Sequence, residues 1–152
     1  MSTTFDRPTL PAVGWVANLA EDDRNLLASY GEFLGIQPDH DMIRQGEDQN
    51  QVFLVISGKL EVRRMGMQDD LVMGLIKAGE SIGEIALFDV GPASASIRAL
   101  EFCQVWVIDR TAITGFVTDN PVAGNLLLFG LATILSQRAR TLSNQVVDAR
   151  EG

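Results

Sequence analysis

The sequence predicts an α+β domain: a small antiparallel β sandwich or barrel with helices before and after it. Three observations carry that reading. Residue periodicity changes from helical to β-rich near residue 42 and back to helical after residue 109. The β-rich part is a series of short runs bounded by turn residues, the pattern of a small antiparallel sandwich or barrel. The chain has 152 residues, 46% of them hydrophobic, enough for one buried core and cramped for two.

In the first zone Trp15, Val16, Leu19, Leu26, Leu27, Tyr30 and Phe33 recur at helical spacing, and Glu21, Asp22 and Asp23 favour a helix start through the macrodipole. This predicts an amphipathic helical lead-in after an N-terminal tail over residues 1–14. The second zone holds runs at 51–56, 60–62, 71–76 and 103–108, separated by Gly46, Ser57-Gly58, Gly66, Ala78-Gly79 and Gly91-Pro92. It predicts the β core over about 42–108. Helical spacing then returns through Phe116, and Asn120-Pro121 marks the start of a long helix. The domain is expected over 15–147, with C-terminal helices over about 110–147 and a tail over 148–152.

Composition excludes several functions. Twelve Lys and Arg against twenty Asp and Glu give a net charge of -8, and no basic patch is visible, so a nucleic-acid backbone meets net repulsion. One cysteine, Cys103, and one histidine, His40, cannot form an internal disulfide or a His/Cys zinc cage. No loop shows the Asp spacing of an EF-hand. The start of the chain lacks a secretory pattern, and the longest apolar stretch, 125–135, falls short of the roughly 20 residues that cross a bilayer. A cytoplasmic protein with no membrane partner is expected. The acidic surplus is read as a contribution to solubility.

In the last helix Leu128, Ala132, Leu135, Ala139, Leu142 and Val146 are separated by alternating steps of four and three, the seam of a two-helix coiled coil. Its first half, thickened by Leu126, Leu127, Phe129 and Leu131, is expected to pack on the chain's own core. Beyond Leu135 only the seam stays apolar, which predicts a homodimer through this helix.

The most informative segment runs Gly79-Glu80-Ser81-Ile82-Gly83-Glu84-Ile85-Ala86-Leu87-Phe88 and on to Pro92-Ala93-Ser94-Ala95-Ser96. Gly83 permits a turn without a Cβ, and the next four residues suit one helical turn. A helix start opening from such a turn is an anion site, although Glu84 would repel a phosphate unless it faced hydroxyls. On spacing alone the plainer reading is favoured, Gly83 as only a turn and Glu84 as only a partner of the helix dipole.

Ile43-Arg44-Gln45-Gly46-Glu47, the run from Val52 to Val62 through Ser57-Gly58, and Ala78-Gly79-Glu80-Ser81-Ile82-Gly83-Glu84-Ile85-Ala86-Leu87 together resemble the cyclic nucleotide-binding domain. This is the β-roll module of bacterial catabolite activators and of the regulatory subunits of cyclic-AMP-dependent protein kinase. The resemblance spans about 15–146 and implies an antiparallel, jelly-roll-like β-roll. It implies that Gly83 and Glu84 belong to a phosphate-binding cassette, with Glu84 accepting a ribose hydroxyl and the backbone of Ile85 and Ala86 meeting the cyclic phosphate of cyclic AMP or cyclic GMP. The family's cassette arginine falls on Ala93, beside Ser94.

An arginine–phosphate contact is charge-assisted and worth roughly 1.5–3 kcal/mol, so its absence implies binding weakened about 10- to 100-fold. Arg98, read as lying on one strand with Ser94 and on the order of 13 Å from it, is too far to replace it. Ser94 and Ser96 offer hydroxyls, or simply close a strand as small residues. In the family the base is often capped from the last helix; Arg138, Thr141 and Ser143 are the polar residues there, and they are read as solvated positions beside the seam.

These readings predict a non-enzymatic regulatory sensor that binds a cyclic nucleotide weakly, or another small ligand, and signals through its C-terminal helix to a partner protein. The alternative is a ligand-independent dimerisation or interaction module. Catalysis is disfavoured, because a metal-dependent β-roll needs clustered histidines and a serine nucleophile needs a base. The sequence ends shortly after its last helix, so no helix-turn-helix and no direct DNA reading are expected from it.

Overall fold

The structure, a computed structural model, describes residues 9–84 and 88–151, the stretch 145–151 by backbone alone. A 3-10 turn, Gly14–Val16, leads into α1 (Glu21–Ala28). The strands follow: β1 (Glu32–Ile36), β2 (Asp41–Ile43), β3 (Asp48–Gln49), β4 (Gln51–Ser57), β5 (Lys59–Met65), β6 (Asp70–Lys77), β7 (Ser81–Ile82), β8 (Gly91–Pro92), β9 (Ser96–Ala99) and β10 (Cys103–Asp109). Two helices close the chain, α2 (Arg110–Asp119) and α3 (Pro121–Glu151).

The strands form two four-stranded antiparallel sheets, ordered β1-β10-β4-β7 and β2-β9-β5-β6, and a small pair, β3-β8. This is the α+β β-roll. Ile43, Phe53, Val55, Leu60, Ile97, Cys103 and Val105 fill the space inside the roll. The alternate residues of the first sheet, Val52, Leu54, Trp106 and Ile108, face the other way and pack on Trp15, Leu27, Phe116, Leu127 and Leu131. That sheet is therefore buried on both faces, which is why β4 and β10 read as unbroken apolar runs. The aromatic centre of the helical side is Trp15 on Trp106, ring centroids 5.9 Å apart, with the Trp106 indole N–H donating to the Ala28 carbonyl.

The helical lead-in is shorter than expected. The α1 helix stops at Ala28, and Phe33 lies in β1, paired with Trp106 of β10, so the roll begins before residue 42. The core also reaches back into the stretch read as tail, since Leu10 is buried and its carbonyl accepts the Arg24 guanidinium. Gly91-Pro92, expected to bound strands, itself pairs with Asp48 and Gln49.

The long helix starts at Pro121 as expected. Its buried face is Ala123, Leu127 and Leu131, and Gly130 lets it close on the 3-10 turn, where a Cβ would sit 2.4 Å from the Trp15 carbonyl oxygen. Leu126 and Phe129, expected to thicken that face, are instead exposed. Of the expected seam, Leu128 and Leu135 are half-buried and Ala132, Ala139 and Leu142 are exposed. The side chain of Val146 lies outside the described residues. By length and composition Pro121–Asn144 is apolar enough to cross a membrane, a longer stretch than the sequence reading counted. In the fold its buried side covers the helical core.

Candidate functional site

The β7 strand pairs with β4, Ser81 opposite Leu54 and Ile82 opposite Phe53, and then the chain turns inward at Gly83. There φ is +90° and a Cβ would meet the Gln51 carbonyl oxygen at 2.5 Å, so glycine is required both by conformation and by space. The turn drives Glu84 into the interior, where it is 1% exposed. A lone buried carboxylate is costly by several kcal/mol, and here the chain supplies its donors. The Ser81 hydroxyl donates to Oε1. From α3, Arg138 Nη1 donates to Oε2 at 2.5 Å, while Nη2 donates to the Ser81 carbonyl at 3.0 Å. The Arg138 side chain is 49% exposed, so one end of the pair touches solvent.

This pair lines a cavity of about 500 Å³, to whose wall Ile43, Val62, Ile82 and Ile97 contribute apolar surface. Asp89, Ala93 and Ser94 also line it. Ala93 is held by its backbone, its N–H donating to the Glu47 carbonyl and its carbonyl accepting from Gly46, both at 2.8 Å.

Gly83, Glu84, Ala93 and Ser94 thus surround one cavity, as the sequence grouped them. Ile85 and Ala86 lie outside the described residues. Ser94 falls in a bend before β9, not on one strand with Arg98. Arg98 is engaged elsewhere, 3.1 Å from Asp41, and that hydrogen bond holds its guanidinium more firmly protonated. Arg63 pairs with Glu61 at 2.7 Å. The Ser96 oxygen accepts the Gln45 N–H and is not part of the cavity wall. Among the described residues, Arg138 is the cation lining the cavity, against the carboxylates Glu84 and Asp89.

Arg138 is the residue the sequence reading misplaced. It is no solvated flank of the seam but the partner of the buried acid. The signal was present: Leu127, Leu131, Ile134 and Arg138 step by four, three and four, a stripe one residue out of phase with the seam. An arginine in line with core leucines marks a position that faces the interior and needs a partner.

Comparison with known proteins identifies the family. The family profile described as "Cyclic nucleotide-binding domain" matches residues 35–120, more than half of the chain. The CRP-like cAMP-activated global transcriptional regulator of Mycobacterium tuberculosis is 24% identical over 141 residues, covering 81% of this chain and 61% of that protein. The chain thus spans about three fifths of the length of this curated relative. Among solved structures, the catabolite activator protein of Thermus thermophilus superposes with a TM-score of 0.79 at 25% identity, over 90% of this chain and 62% of that one. A cyclic nucleotide-binding domain from Methylobacillus flagellatus gives 0.77 at 23%, over 86% and 74%. Fold and profile agree: the chain belongs to the cyclic nucleotide-binding domain family.

Proposed function

We propose that this chain is a non-enzymatic regulatory sensor module of the cytoplasm, taking a small hydroxyl-bearing ligand of the cyclic AMP or cyclic GMP class and signalling through α3. One observation carries the reading. Glu84, in the wall of the cavity, is bonded to Arg138 of the C-terminal helix, so any ligand hydroxyl that competes for the carboxylate acts directly on that helix. Such a switch requires the ligand to prefer one helix arrangement over another. A relative described as cAMP-activated supports the ligand class.

Affinity is expected to be low. The wall at Ala93 offers no guanidinium, and Asp89 adds a like charge for a phosphate to face. Calorimetric titration with cyclic AMP and cyclic GMP up to millimolar concentration tests the proposal. Saturable heat that disappears in Glu84→Ala supports it; no heat with either nucleotide overturns it.

The output is proposed to pass through a homodimer along Leu128, Ala132, Leu135, Ala139 and Leu142 to a partner protein, without direct contact with nucleic acid or a membrane. The exposure of Ala132, Ala139 and Leu142 supports this. Sedimentation in the micromolar range checks it: a dimer that Leu135→Glu dissociates is expected, and a monomer unaffected by the substitution contradicts it.

A second reading, a ligand-independent dimerisation or interaction module, is favoured by one feature. Glu84 already has donors from the chain itself, so the cavity stays ordered with nothing added.

A further inference from the structure

The outer strand β6 has an unused edge. It terminates the sheet β2-β9-β5-β6, and among the described residues its ladder partner is β5. Long edge strands are normally blunted by charges, proline or shortness. Here the six residues 71–76, Leu-Val-Met-Gly-Leu-Ile, contain neither charge nor proline, and Leu71, Val72, Met73 and Leu75 are each at least half exposed.

We propose that β6 docks on β6 of a second copy of this chain, antiparallel, about a two-fold axis between Met73 and Gly74. Charge complementarity specifies the occupant. The strand begins with Asp70 and ends with Lys77, so antiparallel self-pairing in this register sets Asp70 opposite the other copy's Lys77 at both ends.

The side-chain faces agree with the register. A two-fold axis normal to a sheet keeps each face on its own side, so paired residues must share a face. In a regular strand 70 and 77 would face opposite ways. This strand is bulged: Gly74 pairs with Val62 and Val72 with Arg63, leaving Met73 extra. Asp70, Val72, Leu75 and Lys77 therefore share one face, and Leu71, Gly74 and Ile76 the other. The pairs 70/77, 71/76 and 72/75 each join residues of one face. The Glu80 carboxylate accepts the Lys77 N–H at 2.9 Å and closes that edge position, so the ladder runs over 71–76 and the ends meet through their side chains. This surface is separate from α3 and does not rest on the proposed ligand.

Sedimentation equilibrium of the full chain, in the Leu135→Glu background to silence the helix seam, tests the proposal. Asp70→Lys and Lys77→Asp singly turn both end pairs repulsive and are expected to weaken self-association by about tenfold. The double exchange restores both pairs and is expected to return it to near the parent value. These positions are on the surface, and circular dichroism verifies that each variant is folded. A monomeric parent at sub-millimolar concentration, association indifferent to the single exchanges, or a double exchange that fails to restore it would each overturn the proposal.

Discussion

Two stretches of the cavity wall, one at Gly83 and Glu84 and one at Ala93, are held by different forces. At Gly83 and Glu84 the geometry depends on side chains: a carboxylate 1% exposed, a hydroxyl from Ser81 and a guanidinium from a helix 54 residues away in sequence. At Ala93 the geometry depends on backbone, the two hydrogen bonds to Gly46 and Glu47. The first stretch is therefore sensitive to substitution and coupled to α3, while the second tolerates a change of side chain without losing its shape.

The largest effect that sharpens this contrast is expected from Gly83→Ala. Its positive φ and the 2.5 Å approach to the Gln51 carbonyl should make it destabilising by about 2–3 kcal/mol, read from the urea midpoint. Stability close to that of the parent would show that the turn can relax and that Glu84 is not locked by it.

Arg138→Ala comes next. It leaves a buried acid with one donor fewer, a cost of about 1–3 kcal/mol; the half-exposed guanidinium argues for the lower part of that range. Adding Glu84→Gln removes the stranded charge, so the double variant should lose less than the sum of the two singles. Strict additivity in denaturation would separate the two residues and remove the link between cavity and helix.

In the other stretch, Ala93→Ser should change stability by no more than about 0.5 kcal/mol. A loss comparable to that of Arg138→Ala would abolish the contrast between the two. The smallest effect concerns the interior of the roll. Cys103 is fully buried and burial pushes its thiol up, so it should react with a disulfide reagent only on unfolding; rapid modification of the folded protein would show that the roll opens locally.

The long strands were legible as unbroken apolar runs: 51–56 and 103–108 lie inside β4 and β10, which pack on both faces, and 71–76 lies inside β6, whose run is apolar although largely exposed. The run 60–62 caught only the start of β5, whose later residues, Arg63 and Arg64, carry no apolar signal. Strands of two or three residues, such as β3, β7 and β8, have no period to read, since the pairing of distant segments defines them. Phe33 was misread because it stands seven residues after Leu26 and three after Tyr30, a helical interval that is coincidental once the chain turns at Gly31. There a Cβ would collide with the Val107 carbonyl oxygen at 2.4 Å, and the close approach to β10 is a tertiary fact.

For the site, the motif around Gly83 and Glu84 was legible by resemblance, and Arg138 was not. Two stripes of equal spacing run along α3, and the purely apolar one carries the plainer signal. Which stripe faces the roll depends on where the helix lands, and the Gly130 contact with Trp15 sets that.

The proposed function requires that Glu84 can serve a ligand and that the missing cation at position 93 is the main cause of weak nucleotide binding. Calorimetric titration of cyclic AMP and cyclic GMP into the wild-type protein and Ala93→Arg, side by side, tests it most directly. The account predicts an affinity gain of about 10- to 100-fold for the arginine variant. Equal affinity in both proteins, or heat in neither, would contradict it.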